Sequence, residues 1–144
     1  MSETQNFENH AKIVPAFHFF VLPVFALNFV SSIFHCVRFF SFDSVVGVLL
    51  ALAFVVGALC ARIFALTVQD RVIRLEMRLR LQQVLPAELR GRIPEFTVSQ
   101  LVALRFAGDA ELPGLARKVL DEKLTDRKAI KKMIQKWEPD YLRA

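Results

Sequence analysis

The sequence predicts an all-α fold: a two-helix transmembrane hairpin whose second helix extends into the cytoplasm and is followed by a small helical module. Three observations predict it. Residues 13–37 and 44–61 carry no formally charged side chain, and each run has the ~17–25 residues with which a helix crosses a bilayer core. Charge is divided along the chain: residues 1–68 hold three basic and three acidic groups, so the net charge of +5 lies wholly in residues 69–144. After position 85, apolar residues recur at helical spacing in short runs broken by Pro and Gly. The boundaries implied are an N-terminal cytoplasmic tail at 1–12 and a hairpin at 13–68, with spans at about 13–37 and 44–68. A cytoplasmic extension of helix two follows at 69–85, then a basic helical cytoplasmic module at 86–144.

In the first span, Pro15 suits an opening turn and Pro23 predicts a kink whose freed carbonyl a neighbouring helix can satisfy. The run is too long for a signal peptide. Two glutamates precede its one lysine, and no small-residue cleavage site follows. Five polar residues interrupt it: His18, Asn28, Ser31, Ser32 and His35. Asn28 falls near mid-membrane, where an amide seeks an interhelical hydrogen bond worth about 0.6–2 kcal/mol. His18 and His35 are 17 residues apart, about 25 Å along a helix, so one chain cannot bring both to a single metal ion or haem. Cys36 and Cys60 form neither a disulfide framework nor a zinc pattern and read as small hydrophobes. No metal and no cofactor is expected.

The connection at 38–43 is short, so the two spans are antiparallel neighbours. It offers only Arg38, whereas Arg71, Arg74, Arg78 and Arg80 follow the second span. The positive-inside rule then puts both termini in the cytoplasm. Arg62, near the inner end of span two, reads as a snorkelling side chain, with no intramembrane acid to partner it.

The second helix is expected to run unbroken over about 44–85, since no Pro or Gly intervenes between Gly57 and Leu85. Ala53, Gly57, Ala61 and Ala65 recur every four residues as a ridge that admits close helix approach. Val68, Val72, Leu75 and Leu79 continue the face at heptad spacing. Two occupants fit these eight residues. One is intramolecular: the ridge receives Phe17, Phe20, Phe25 and Phe29, and the heptad receives the chain's own module. The other is a second copy or a partner membrane protein. Asp70 with Arg74 and Glu76 with Arg80 are expected i,i+4 ion pairs.

In the module, residues 86–94 read as a short turn and linker. Thr97 with Gln100 makes a capping box opening a helix to about Ala107, which Gly108 closes. Asp109 is expected to cap the next helix, whose buried stripe is Leu112, Leu115, Ala116, Val119 and Leu120. Thr125 or Asp126 caps a last helix reaching Trp137, with Ile130, Met133, Ile134 and Trp137 on its apolar face. Lys128, Lys131, Lys132 and Lys136 lie on the other. Such a basic helix packs with a solvated lysine face, or lies through those lysines and Trp137 on anionic lipid headgroups. Nucleic acid is not the expected partner, because no polar base-reading helix is evident. The module has no His or Cys, and no phosphate loop, HExxH or GxSxG occurs. No enzyme is expected.

Four segments carry a resemblance: 5–12 (QNFENHAK), 61–76 (ARIFALTVQDRVIRLE), 100–107 (QLVALRFA) and 124–131 (LTDRKAIK). With Pro15 and His18 after the first, they resemble a family of short, uncharacterised bacterial two-span membrane proteins. The resemblance implies architecture and bacterial origin only, and it assigns no activity; together with the two spans and the charge asymmetry, the expected location is the bacterial inner membrane. It also makes His10 and His18, beside the first span, worth testing as an interaction site. The expected function is non-enzymatic, through protein–protein contacts, as an accessory subunit or homo-oligomeric scaffold. The alternative is a membrane component binding anionic lipid or a small ligand through its basic C-terminal helix.

Overall fold

The computed structural model describes Asn6, Phe7 and residues 13–140. His10 and most of the N-terminal tail lie outside the described residues. The chain divides into two compact units, Lys12–Leu66 and Met1–Ala11 with Thr67–Ala144. Among the described residues every regular element is helical.

In the first unit, a π-helical stretch, Ala16–Val21, leads into α1, Leu22–Arg38. Pro23 explains the widened turn. It has no N–H to give the carbonyl four residues back, and just before it the Leu22 N–H reaches Phe17 O, five residues back. The expected kink is thus absorbed as a π-turn. Helix α2, Phe42–Val84, begins two residues earlier than its sequence suggests. Ser41 and Ser44 cap it reciprocally: the Ser41 N–H donates to Ser44 Oγ at 2.9 Å and the Ser44 N–H to Ser41 Oγ at 3.1 Å. Ser44 also donates to Cys36 Sγ at 3.5 Å, and Phe25 stacks on Phe54 with centroids 5.5 Å apart. These contacts, with Ala51 at 1% exposure, mark the side of α2 that meets α1. The stretches Ala16–Arg38 and Phe42–Val84 are both long and apolar enough to cross a membrane.

In the second unit, α2 supplies Ile73, Met77 and Leu81, with Leu85 just beyond its end, to a core closed by short elements. These are α3 (Ala87–Arg90), a 3-10 turn (Ile93–Glu95), α4 (Val98–Leu104), α5 (Leu112–Asp121) and α6 (Arg127–Lys132). All five residues of the stripe expected on α5 are buried. The Thr97 box forms as read: the Thr97 N–H donates to Gln100 Oε1 at 2.8 Å and the Gln100 N–H to Thr97 Oγ1 at 3.2 Å. Gln100, itself buried, also donates to Leu124 O at 2.8 Å, tying α4 to the turn before α6. Thr97→Ala is expected to cost about 1 kcal/mol, read as a lower unfolding midpoint of the full chain in detergent by Trp137 fluorescence. An unchanged midpoint would mean the box is not fully formed in solution.

Three local expectations need correcting. Gly108 does not close α4, which ends at Leu104 with Arg105 as its C-cap; instead the Gly108 N–H donates to Lys136 O at 3.0 Å. Asp109 does not cap α5, because it accepts from Arg80 at 2.8 Å. The last helix stops at Lys132 instead of reaching Trp137. Tertiary hydrogen bonds take its final turn. Glu111 accepts the N–H groups of Gln135 and Lys136, each at 3.0 Å, and the Glu138 N–H donates to Phe106 O at 2.7 Å. Asp126 does cap the remaining helix, accepting from Lys128 N and Ala129 N at 3.1 and 3.0 Å.

Candidate functional site

The surface with most to offer chemically is on α2. At 100° per residue, Ile73, Met77 and Leu81 share one side of the helix and Val68, Val72, Leu75 and Leu79 the opposite side. Burial follows that division. The first three are 5%, 3% and 0% exposed, whereas the other four are 60%, 48%, 62% and 54% exposed. The module therefore packs on the first stripe, and the intramolecular occupant expected for the heptad is wrong. The signal was in the sequence: Ile73, Met77, Leu81, Leu85 and Leu89 also recur at i+4. The small ridge likewise does not receive the first span. Ala53, Gly57, Ala61 and Ala65 are exposed, and nothing lies within 4 Å of a Cβ added at Gly57.

The ion pairs differ from expectation for the same reason. With its core face turned to the module, α2 sends Arg80 and Asp70 to distant partners. Arg80 donates through Nη1 to Arg105 O at 3.0 Å and through Nη2 to Ala107 O at 2.8 Å. It also pairs with Asp109 at 2.7 Å and Glu138 at 2.6 Å. Asp70 pairs with Arg127 at 3.3 Å instead of Arg74. Arg92 bridges Asp121 at 2.7 Å and Glu95 at 3.2 Å. Its pKa is raised above the ordinary guanidinium value, chiefly by the hydrogen bond to Asp121. Beside Arg80, a cleft of about 420 Å³ is lined by Ile73, Glu76, Met77, Arg105, Glu138 and Asp140 among others. Two of its three acids already face arginines, Glu138 on Arg80 and Asp140 on Arg105 at 3.1 Å.

The basic C-terminal set is divided. Lys128, Lys132 and Lys136 are exposed. Lys131 Nζ sits 4.9 Å over the Phe106 ring, and Trp137 stacks on the same ring at 4.5 Å. Trp137 is thus packed into the module and is not carried on a helix face beside the lysines.

In the first span, Asn28 is exposed and its side chain bonds no other described residue, while its backbone carbonyl also accepts from Ser32 Oγ at 2.8 Å. The interhelical bond expected for its amide is not made to α2. His18 is occupied locally, with Nδ1 2.9 Å from Val14 O and its ring edge-on to Phe17. His35 lines a polar cleft of about 540 Å³ with Ser31, Ser32, Asp43 and Gly47. Among the described residues no three His, Cys, Asp or Glu side chains come together as a metal-binding group.

Fold and surface together define a class: an all-helical protein with two helices able to cross a membrane and a helical module packed on the second of them. The chain belongs to a family of unknown function (DUF6526), whose model matches residues 1–144. No curated protein and no solved structure matches it.

Proposed function

We propose that this chain is a non-enzymatic protein of the bacterial inner membrane that works through protein–protein contacts, as an accessory subunit or a homo-oligomeric scaffold. The observation that carries the reading is the open apolar face of α2 at Val68, Val72, Leu75 and Leu79, opposite the face its own module covers. Charged residues flank this stretch, from Asp70 and Arg71 onward. It therefore lies at or beyond the headgroups, where lipid tails do not shield it. Asn28 supports the same reading: an amide exposed on a span carries a desolvation cost that a neighbouring helix relieves. Arg71, Arg74, Arg78 and Arg80 against a lone Arg38 support cytoplasmic termini. Trp137, stacked on Phe106, weighs against the lipid-surface alternative.

The test is purification of the tagged full-length chain in mild detergent, beside Leu75→Glu. That side chain is exposed, so the substitution leaves the core intact. The expected result is a complex, with itself or with another protein at fixed stoichiometry, lost in the variant. A monomer that behaves identically with and without Leu75→Glu would overturn the reading.

A further inference from the structure

We propose that the occupant of the Val68–Val72–Leu75–Leu79 seam is a second copy of the same chain, packed in parallel as a two-stranded coiled coil. This rests on the protein-contact reading above and names its partner. The spacings of four, three and four put Val68 and Leu75 at d positions and Val72 and Leu79 at a positions of a heptad. That register fixes what flanks the seam. Its g positions are Arg71 and Arg78, and its e positions are Gln69, Glu76 and Gln83.

In a parallel pair, a g residue faces the e residue five positions on in the other strand. Arg71 of one copy then meets Glu76 of the other. Twofold symmetry makes this contact twice, while Arg78 faces a neutral Gln83. An antiparallel pair would instead set g against g, Arg71 against Arg78, with like charges opposed. The face therefore carries its own electrostatic complement, and only in the parallel sense. Two copies inserted in one bilayer with the same topology are parallel by necessity. Arg71 and Glu76 are both exposed, and no ion pair joins either to another described residue. Asp70, at an f position, is already held by Arg127, and Ile73 and Met77, at b and f, are the module's core. Among the described residues, forming the pair breaks no ion pair of Arg71 or Glu76 and leaves the Ile73–Met77 core face in place.

Two heptads are too short to hold a coiled coil of free peptides. Confinement to one membrane supplies the high effective concentration that lets so short a seam associate.

The test uses the full-length chain in liposomes, with Cys36→Ala and Cys60→Ala removing the native thiols. Single cysteines replace Val72, Leu75 and, as an off-seam control, Arg74. Mild oxidation is expected to give a disulfide dimer of twice the chain mass from Val72→Cys and Leu75→Cys, with little from Arg74→Cys. On the Leu75→Cys background, Arg71→Glu and Glu76→Arg are each expected to lower dimer yield about fivefold, the size of two exposed ion pairs. The two together are expected to restore it, with Trp137 fluorescence reporting that the module stays folded in each. Dimers whose yield ignores the charge swap would overturn the parallel register. If Leu75→Cys in native membranes joins only a different protein, the second copy is overturned while the protein-contact reading stands. No crosslink to any protein would overturn both.

Discussion

Replacing Arg80 by alanine is expected to lower the stability of the 67–140 unit by about 2–3 kcal/mol, a fall of roughly 10 °C or more in its unfolding midpoint. The loss divides unequally among the contacts. Asp109 and Glu138 are 66% and 56% exposed, so water replaces most of what their ion pairs contribute. The carbonyls of Arg105 and Ala107 are different. They end a helix and start a turn in a part-buried site, and the guanidinium supplies a donor to each. Arg80→Lys keeps the charge but not the planar fork, and is expected to recover less than half of the loss. The measurement is thermal unfolding followed by Trp137, the only tryptophan, which sits on Phe106 where the Arg80-held segments meet. If 1 M salt on the native chain matched the substitution, the ion pairs and not the carbonyl bonds would be the cause.

Leu81→Ala is expected to be the most damaging single truncation on α2, costing about 3 kcal/mol. Leu81 is fully buried, and the cavity left would be bounded by Leu85, Leu101 and other members of one cluster. Leu79→Ala, two residues away, removes the same atoms from a side chain 54% exposed. It is expected to change unfolding by less than about 0.5 kcal/mol while weakening self-association in lipid. This pair separates the two faces of one helix within one experiment. Equal losses of stability would mean that the module grips α2 from both sides, and the open seam would not exist.

The helical architecture was legible in the sequence because its signals are local. Charge-free runs, the Thr97–Gln100 box and the α5 stripe each depend on neighbours within one or two turns, and each appears in the structure. What sequence could not decide was a choice between equals. Past residue 68, α2 carries two apolar stripes of similar quality on opposite sides. Periodicity ranks both as core, and only tertiary packing shows that Ile73, Met77 and Leu81 win. The misassigned ion pairs follow from that choice, since partners 29 and 58 residues away compete with the i+4 neighbour. The length of α6 failed for a related reason: Glu111 and Phe106, distant in sequence, take the hydrogen bonds that another helical turn would have used.

The Arg80–Glu138 contact joins residues 58 apart in the chain. At 5–20 residues per second of synthesis, on the order of three to twelve seconds separate the making of the two. The cluster that Ile73, Met77 and Leu81 join also holds Ile130, so this core is complete only once nearly the whole described chain has been made. On the reading proposed above, the last residues to arrive would complete the face that belongs to the fold and leave the Val68–Leu79 face as the open one.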